Sequence, residues 1–195
     1  VRDAFKAMPI KTDRNDARGI AQLMRLGRFR PVHCKSAPAQ ETRAVLTARK
    51  LVQGKLYDIE MSLRGILRGF GLKVGRTTKT GFASRIMELT EHHPALKAIA
   101  KALLAVHGVL LKELNGFEAQ VRKLARSDSR VRLLMTAPGV GVIVGLTYVA
   151  AIDDPGRFSS SKTVGAHFGM TPKKYQSGET DVTGRISKMG DKGVP

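Results

Sequence analysis

The 195-residue chain carries 34 Lys and Arg residues against 16 Asp and Glu residues, a formal net charge of +18. This excess indicates a polyanionic partner. The single cysteine, Cys34, excludes an internal disulfide framework and suits a reducing cytoplasm, and we expect neither a signal peptide nor a membrane-spanning helix.

The first predicted element is a helix in the segment TDRNDARGIAQLMRLGRF. Asp13 is placed to cap the first turn, Asp16 follows three residues later, and Gly27 ends the apolar periodicity. Two acids at a helix start are a common capping device, so this pair has a structural interpretation by itself. Residues 28–37 are basic and punctuated by proline, which predicts an extended segment.

Two long helices are predicted over residues 38–69 and 94–126. Apolar residues in both recur mostly at intervals of three and four, the spacing of a coiled coil. The connection GLKVGRTTKTG is basic and glycine-rich, and a short helix is predicted near residues 82–90. The helices are expected to pack as an antiparallel hairpin, or to pair between chains.

A helix, a PGVG turn and a second apolar helix follow, in the order of a helix-hairpin-helix motif. In such a motif the turn amides and the next helix start can bind a DNA phosphate, which makes Gly139 and Gly141 candidate nucleic-acid-binding positions. The alternative is a buried corner between two helices, with glycines that permit close packing. A further short helix is predicted in SSSKTVGAHFG.

The segment KKYQSGETDVTGRISKMGDK is polar and contains three glycines, which predicts irregular backbone rather than a core helix. One serine, Ser177, lies among cations: Lys173, Lys174, Arg185, Lys188 and Lys192. A hydroxyl among cations can hold or attack a phosphate, although a solvated basic loop has the same composition.

Three segments together carry a family resemblance: KTDRNDARGIAQL, the PGVG turn with its apolar helix, and FGMTPKKYQSGETDVTGRISKMG. In this order the chain resembles the insertion-sequence-110 family of bacterial transposases, serine-dependent recombinases with a RuvC-like domain. The resemblance covers essentially the whole chain. The individual motifs are short, and their combination makes the resemblance specific.

The resemblance implies a Mg²⁺ site of four acidic residues, of which Asp13 and Asp16 match the last two, and a serine nucleophile that matches Ser177. Three residues apart at a helix start, the two carboxylates can approach one Mg²⁺. Lys173, Lys174, Arg185 and Lys188 are then expected to hold the phosphate. The resemblance also implies DNA as substrate, an element-encoded guide RNA, multimers and a bacterial cytoplasm, with nucleoid association when DNA is bound.

The expected fold is mainly α: a remnant of an α/β RuvC-like domain over residues 1–37, an antiparallel coiled-coil hairpin over 38–127, and a serine domain with a helix-hairpin-helix over 128–195. Two family acids would precede Val1, and further helices would follow the last residue. We therefore expect this chain alone not to recombine DNA. The alternatives are a non-catalytic DNA- or RNA-binding module and a coiled-coil scaffold whose charge serves solubility.

Overall fold

The computed structural model describes residues 12–29, 32–187 and 190. The chain divides into two compact units, Val1–Lys35 and Ser36–Pro195. The described residues are mainly helical, as the sequence predicts. In chain order the elements are α1 (Asp13–Arg25), α2 (Ala37–Gly69), α3 (Gly81–Leu89), α4 (Pro94–Ser127), α5 (Ser129–Leu134), α6 (Val142–Ile152), a single 3₁₀ turn (Pro155–Arg157), α7 (Ser161–His167), β1 (Pro172–Ser177) and β2 (Thr180–Ile186).

In the first unit, the start of α1 differs from the prediction by one residue. The N-cap is Thr12, whose hydroxyl accepts a hydrogen bond from the Asn15 amide at 3.2 Å, and Asp13 is the first helical residue. The predicted capping role of Asp13 was therefore wrong, because the threonine one position earlier provides the acceptor. Gly27 follows the helix with φ of 63°, which confirms the predicted end.

The second unit is organised by the two long helices, and both predictions are confirmed. Arg49 of α2 donates to Glu118 of α4, and His107 of α4 lies 3.1 Å from a Glu60 carboxylate oxygen. The later residue of α2 pairs with the earlier residue of α4, so the two helices are antiparallel. On each helix the two positions are eleven residues apart, about three helical turns, which places both pairs on the same facing sides.

Two clusters of buried side chains hold this unit together. The first joins α2, α3 and α4 through Leu63, Leu67, Phe82, Ile86 and Ala100. Leu63 and Leu67 are each only 1% exposed, and full burial of a leucine contributes about 1.5–3 kcal/mol. The second cluster joins α4, α5 and α6 through the buried side chains Val121, Ala125, Val131 and Leu146.

Asp153 joins three helices at their ends. It follows α6 with φ of 62°, a value that non-glycine residues rarely adopt. Its carboxylate accepts from the Ser36 amide at 2.7 Å and from the Ser36 hydroxyl at 2.5 Å, and its carbonyl accepts from Arg130 at 3.1 Å. Since Ser36 is the N-cap of α2, these bonds hold the strained residue in place.

The sequence predicts no membrane-spanning helix, yet α4 has the length and composition of one. One 18-residue window of it has a mean hydropathy of 1.5, so by length and composition this helix could cross a membrane. Only 17% of the window is buried within the described chain. One such helix is weak evidence for a membrane span, because core helices of water-exposed proteins pass the same test.

The predicted irregular segment around Ser177 is instead an antiparallel β-hairpin of β1 and β2. Gly178, with φ of 56°, and Glu179 form the two-residue connection. Glycine at the first position of such a connection is typical of tight hairpins. The expectation of irregular backbone was wrong for residues 172–186, because Gly178 forms the turn and Gly184 occupies a strand position.

Candidate functional site

The acidic pair lies in the first turn of α1. Asp13 is exposed and Asp16 is half-buried. Because Thr12 caps the helix, neither carboxylate is needed for capping. Two carboxylates, with water and phosphate oxygens, suit the octahedral coordination of Mg²⁺. Among the described residues no group of three or more metal-ligating side chains occurs, so the two carboxylates do not form a complete metal site there.

Helices α5 and α6 are joined by a turn that contains Gly139 and Gly141. Gly139 has φ of 84°, and a Cβ at either glycine would meet no atom within 4 Å. These glycines therefore do not serve close packing. That role belongs to Gly145, where a Cβ would lie 3.1 Å from the Val131 side chain. Gly141 is the N-cap of α6 and has no side chain, so the cap provides no hydrogen-bond acceptor for the first-turn amides of α6.

Asp128 fixes the start of the first of these helices. Its carboxylate accepts from the Arg130 amide at 2.8 Å and from the Arg130 guanidinium at 2.8 Å. The hydrogen bond from the Arg130 side chain is the main cause that lowers the pKa of Asp128, and the same bond raises the pKa of Arg130. Both groups are therefore charged at neutral pH, and this pair orients α5 and, with it, the glycine turn.

Ser177 is the last residue of β1 and pairs directly with Thr180 at the closed end of the hairpin. It is exposed, and within the described part of the chain its hydroxyl makes no hydrogen bond. Side chains alternate between the two faces of a strand, so Tyr175 and its partner Val182 lie on the face of Ser177. The serine is thus presented at the tip of a glycine turn, on a face that is open to solvent.

The cations predicted around Ser177 are distributed unevenly. Lys174 lies on the opposite face of the hairpin, where its ammonium is 3.1 Å from Asp181. Lys173 and Arg185 are exposed on β1 and β2, and Arg185 lies where the strand register is irregular. Lys188 lies outside the described residues. The hairpin therefore carries positive charge on more than one face.

An arginine that the sequence analysis did not single out lies before the hairpin. The Arg157 guanidinium stacks over the Phe158 ring at 4.5 Å and lies 3.2 Å from a His167 ring nitrogen. Its buried Nε has no hydrogen-bond partner among the described residues. A cation next to an aromatic residue in DDPGRF was the available signal.

Ser187 closes the base of the hairpin. Its hydroxyl donates to the Gly169 carbonyl and its amide donates to the Thr171 carbonyl.

Comparisons with known proteins agree with the family resemblance. Residues 131–194, which hold the glycine turn and the serine hairpin, match the model of the IS116/IS110/IS902 transposase family. The transposase of insertion sequence element IS1111A from Coxiella burnetii is 28% identical over 189 residues, which cover 93% of this chain and 51% of that protein. The transposase of element IS1328 from Yersinia enterocolitica is 25% identical, over 94% of this chain and 55% of its own length.

The chain thus spans about half the length of the curated relatives that it matches. The similarity extends over nearly all of the chain, and the family match covers the segment in which the candidate serine lies. The predicted resemblance is confirmed: this chain is similar to insertion-sequence transposases, and its residues 131–194 match the IS116/IS110/IS902 family.

Proposed function

We propose that the chain is part of an insertion-sequence transposase that cuts and rejoins DNA, with Ser177 as nucleophile. The observation that carries this proposal is the position of Ser177, exposed beside the Gly178 turn within the family-matched segment. A nucleophile that attacks a phosphodiester in a large polyanion must be reachable at the protein surface. A hairpin tip meets that requirement better than a helix in the core.

In the proposed step the Ser177 oxygen forms a bond to phosphorus, and the bond from phosphorus to one strand oxygen breaks. The serine proton passes to solvent, and the departing strand oxygen takes up a proton. Serine is a weak nucleophile at its ordinary pKa and needs activation. Lys173 and Arg185, with Lys188 beyond the described strands, would neutralise charge on the phosphate. Lys174, on the opposite face and paired with Asp181, would contact the nucleic acid away from that phosphate.

Asp13 and Asp16 would hold Mg²⁺, and other residues of a full-length protein would complete its coordination. Bound Mg²⁺ polarises a phosphoryl group and offsets its negative charge. Since the chain provides two carboxylates, we expect it not to recombine DNA unaided. The first-turn position of both residues on α1 keeps their carboxylates on one end of a single rigid helix.

The open turn at Gly139 and Gly141 would contact a DNA phosphate through backbone amides, as in a helix-hairpin-helix motif. The element's guide-type RNA and the DNA are the proposed nucleic-acid partners, in a bacterial cytoplasm. The net charge of +18 supports binding to both.

Self-association through a coiled coil of α2 and α4 belongs to the same proposal. Apolar side chains remain exposed on both helices, among them Leu51, Tyr57, Val106 and Val109. Exposed apolar residues on long helices favour association with another helix pair. A homo-oligomer would allow two DNA segments to be held together.

The test is a covalent protein–DNA adduct trapped on a denaturing gel. The protein is this chain, extended at its N-terminus by the corresponding domain of a full-length relative and supplied with Mg²⁺, element-end DNA and RNA. We expect an adduct that Ser177→Ala abolishes and Thr180→Ala retains, because Thr180 offers a hydroxyl at the same hairpin end. An adduct that survives Ser177→Ala would refute the assignment.

The second candidate is a binding module without catalysis. It is favoured by one observation: no described residue donates to or accepts from the Ser177 hydroxyl, so none of them is bonded to the serine as a base. If wild-type protein retains DNA and RNA under these conditions but forms no adduct, the binding module becomes the better account.

A further inference from the structure

A basic cleft lies at the end of the helical hairpin, where α2 passes into the connection before α3. We call it the hairpin-tip cleft. It is a half-open cleft of about 440 Å³, with apolar walls and three cationic side chains. The residues that matter here are Met61, Arg64, Arg68, Leu72, Lys73 and Val74. None of them takes part in the serine or acidic sites described above.

Arg64 builds this cleft and is not available to a ligand. Its guanidinium donates to the Gly75 carbonyl at 2.7 Å and to the Thr77 hydroxyl at 3.2 Å, and lies 5.3 Å from the centre of the Phe82 ring. These contacts hold the connection against α2 and α3. Gly71 and Gly75, with φ of 76° and 73°, provide the bends that bring it back over the helix end.

Arg68 and Lys73 are in a different situation. Both are exposed, and within the described part of the chain neither side chain has a hydrogen bond or an ion pair. The surrounding sequence offers them none: residues 61–87 contain six Lys and Arg residues and no Asp or Glu. Arg76 and Lys79, on the same connection, are likewise exposed and unpaired among the described residues. Like charges kept together without acids weaken the fold unless an external anion neutralises them.

We propose that the hairpin-tip cleft binds the phosphodiester backbone of a nucleic acid, with Arg68 and Lys73 as the phosphate contacts. This inference rests on the proposed function only in taking a nucleic acid as the partner. The apolar walls at Met61 and Leu72 suit the faces of sugars and bases, while the two cations suit phosphates. DNA and the guide RNA share this chemistry.

The experiment measures affinity against salt concentration, using the full chain and two probes: a mixed-sequence DNA duplex and a mixed-sequence single-stranded RNA. The tip variant is Arg68→Gln with Lys73→Gln. The matched control is Lys55→Gln with Lys112→Gln, which removes two charges from the same two-helix hairpin outside the cleft. All four positions are exposed, and circular dichroism checks that the helices persist.

Each lost phosphate contact lowers the slope of log affinity against log salt by about 0.9 on duplex DNA and about 0.7 on a single strand. We therefore expect the tip variant to lose about 1.8 of slope on the duplex or about 1.4 on the RNA, and the control to lose less. The probe whose slope changes identifies the source of the phosphate. A second readout is lysine acetylation, from which the bound probe should protect Lys73 but not Lys55.

Equal slopes for the tip variant and the control on both probes, with Lys73 unprotected, would overturn the inference while leaving nucleic-acid binding intact. If the wild-type chain binds neither probe, both the inference and the nucleic-acid partner of the proposed function fail. The adduct test on Ser177 is independent of this outcome, because neither cleft residue lies in the serine hairpin.

Discussion

Asp128 shows how one carboxylate can organise a candidate binding surface. It caps α5 and binds the Arg130 guanidinium, and Arg130 in turn donates to the Asp153 carbonyl. The two capping bonds that Asp128 accepts from backbone amides are local, whereas the bond from Arg130 to the Asp153 carbonyl reaches the end of α6. Removal of the Asp128 side chain should therefore disturb both helices that frame the glycine turn.

We predict that Asp128→Ala lowers the free energy of unfolding by about 1 kcal/mol at neutral pH, the usual effect of losing an N-cap. The Arg130 hydrogen bond lowers the pKa of Asp128 from its ordinary value of 3.8, so the folded state binds the proton less tightly than the unfolded state. The part of the stabilisation that depends on the charge is thus complete above pH 3.8 and is lost as the pH falls through the lower folded value.

Urea titrations of wild type and variant across this pH range measure the effect. Asp58→Ala is the control, since Asp58 is exposed and, among the described residues, pairs only with Lys55 on the helix surface. Its effect should stay within about 0.5 kcal/mol. A wild-type advantage over Asp128→Ala that persists unchanged into acid would contradict the assigned pKa direction.

Some residues could be placed from the sequence and others could not. Gly27 was predicted correctly because a glycine after an apolar periodicity is a local signal. The cap at Thr12 was missed because the adjacent Asp13 satisfies the same local rule. The conformation of Asp153 has no local signal at all, since it depends on Ser36, which is 117 residues away in the chain.

At the scale of elements, the α2–α4 register depends on two polar pairs set among apolar contacts. Arg49 donates to Glu118 through two nitrogens, and both side chains are largely buried, with 16% and 28% exposed. A polar pair in such a setting costs more when one partner is lost than when both are replaced. Any shift of one helix along the other would break this pair and the Glu60–His107 pair together, because their spacing is the same on both helices.

We predict a coupling energy of about 1–3 kcal/mol between Arg49 and Glu118 in a double-mutant cycle of alanine substitutions. The measured quantity is the free energy of unfolding of the four proteins. Lys55 and Asp58, exposed by 62% and 60%, provide the control cycle, for which the coupling should remain below about 0.5 kcal/mol. A coupling no larger than that of the control would show that the pair does not fix the register.

The long helices were predictable because their apolar spacing extends over many turns and outweighs single exceptions. The serine hairpin was not, because its two strands bury nothing that would produce an alternating apolar pattern: every residue of β1 and β2 is exposed. Its glycines then resembled those of a loop. Only the cross-strand pair of Tyr175 and Val182 hints at a strand in the sequence.

At the scale of the whole molecule, charge and packing are organised separately. Residues 1–80 hold 18 basic and 6 acidic side chains, and the buried clusters of the second unit contain hydrophobic side chains from α2 to α6. A polyanionic partner could be predicted from the net charge. The clustering of cations at the hairpin-tip cleft could not, because it depends on the bends at Gly71 and Gly75. Composition thus predicts the charge of the partner, whereas the fold determines where on the protein that partner can bind.

The division into two units predicts that the second can fold alone. Its buried clusters are formed by residues after Ser36, and Ser36 itself caps α2 and binds Asp153. We expect a chain of residues 36–195, acetylated so that the Ser36 amide is kept, to unfold cooperatively with helical circular dichroism retained. A chain of residues 39–195 should be less stable by about 1–2 kcal/mol, because the cap and both bonds to Asp153 are lost.

Thermal and urea unfolding of the two shortened chains distinguishes the outcomes. If residues 36–195 show no cooperative transition, the first unit supplies stability that the second lacks, and the division does not describe independent folding. If the two chains are equally stable, the bonds between Ser36 and Asp153 contribute little, and the positive φ of Asp153 must be maintained by the ends of α5 and α6 alone.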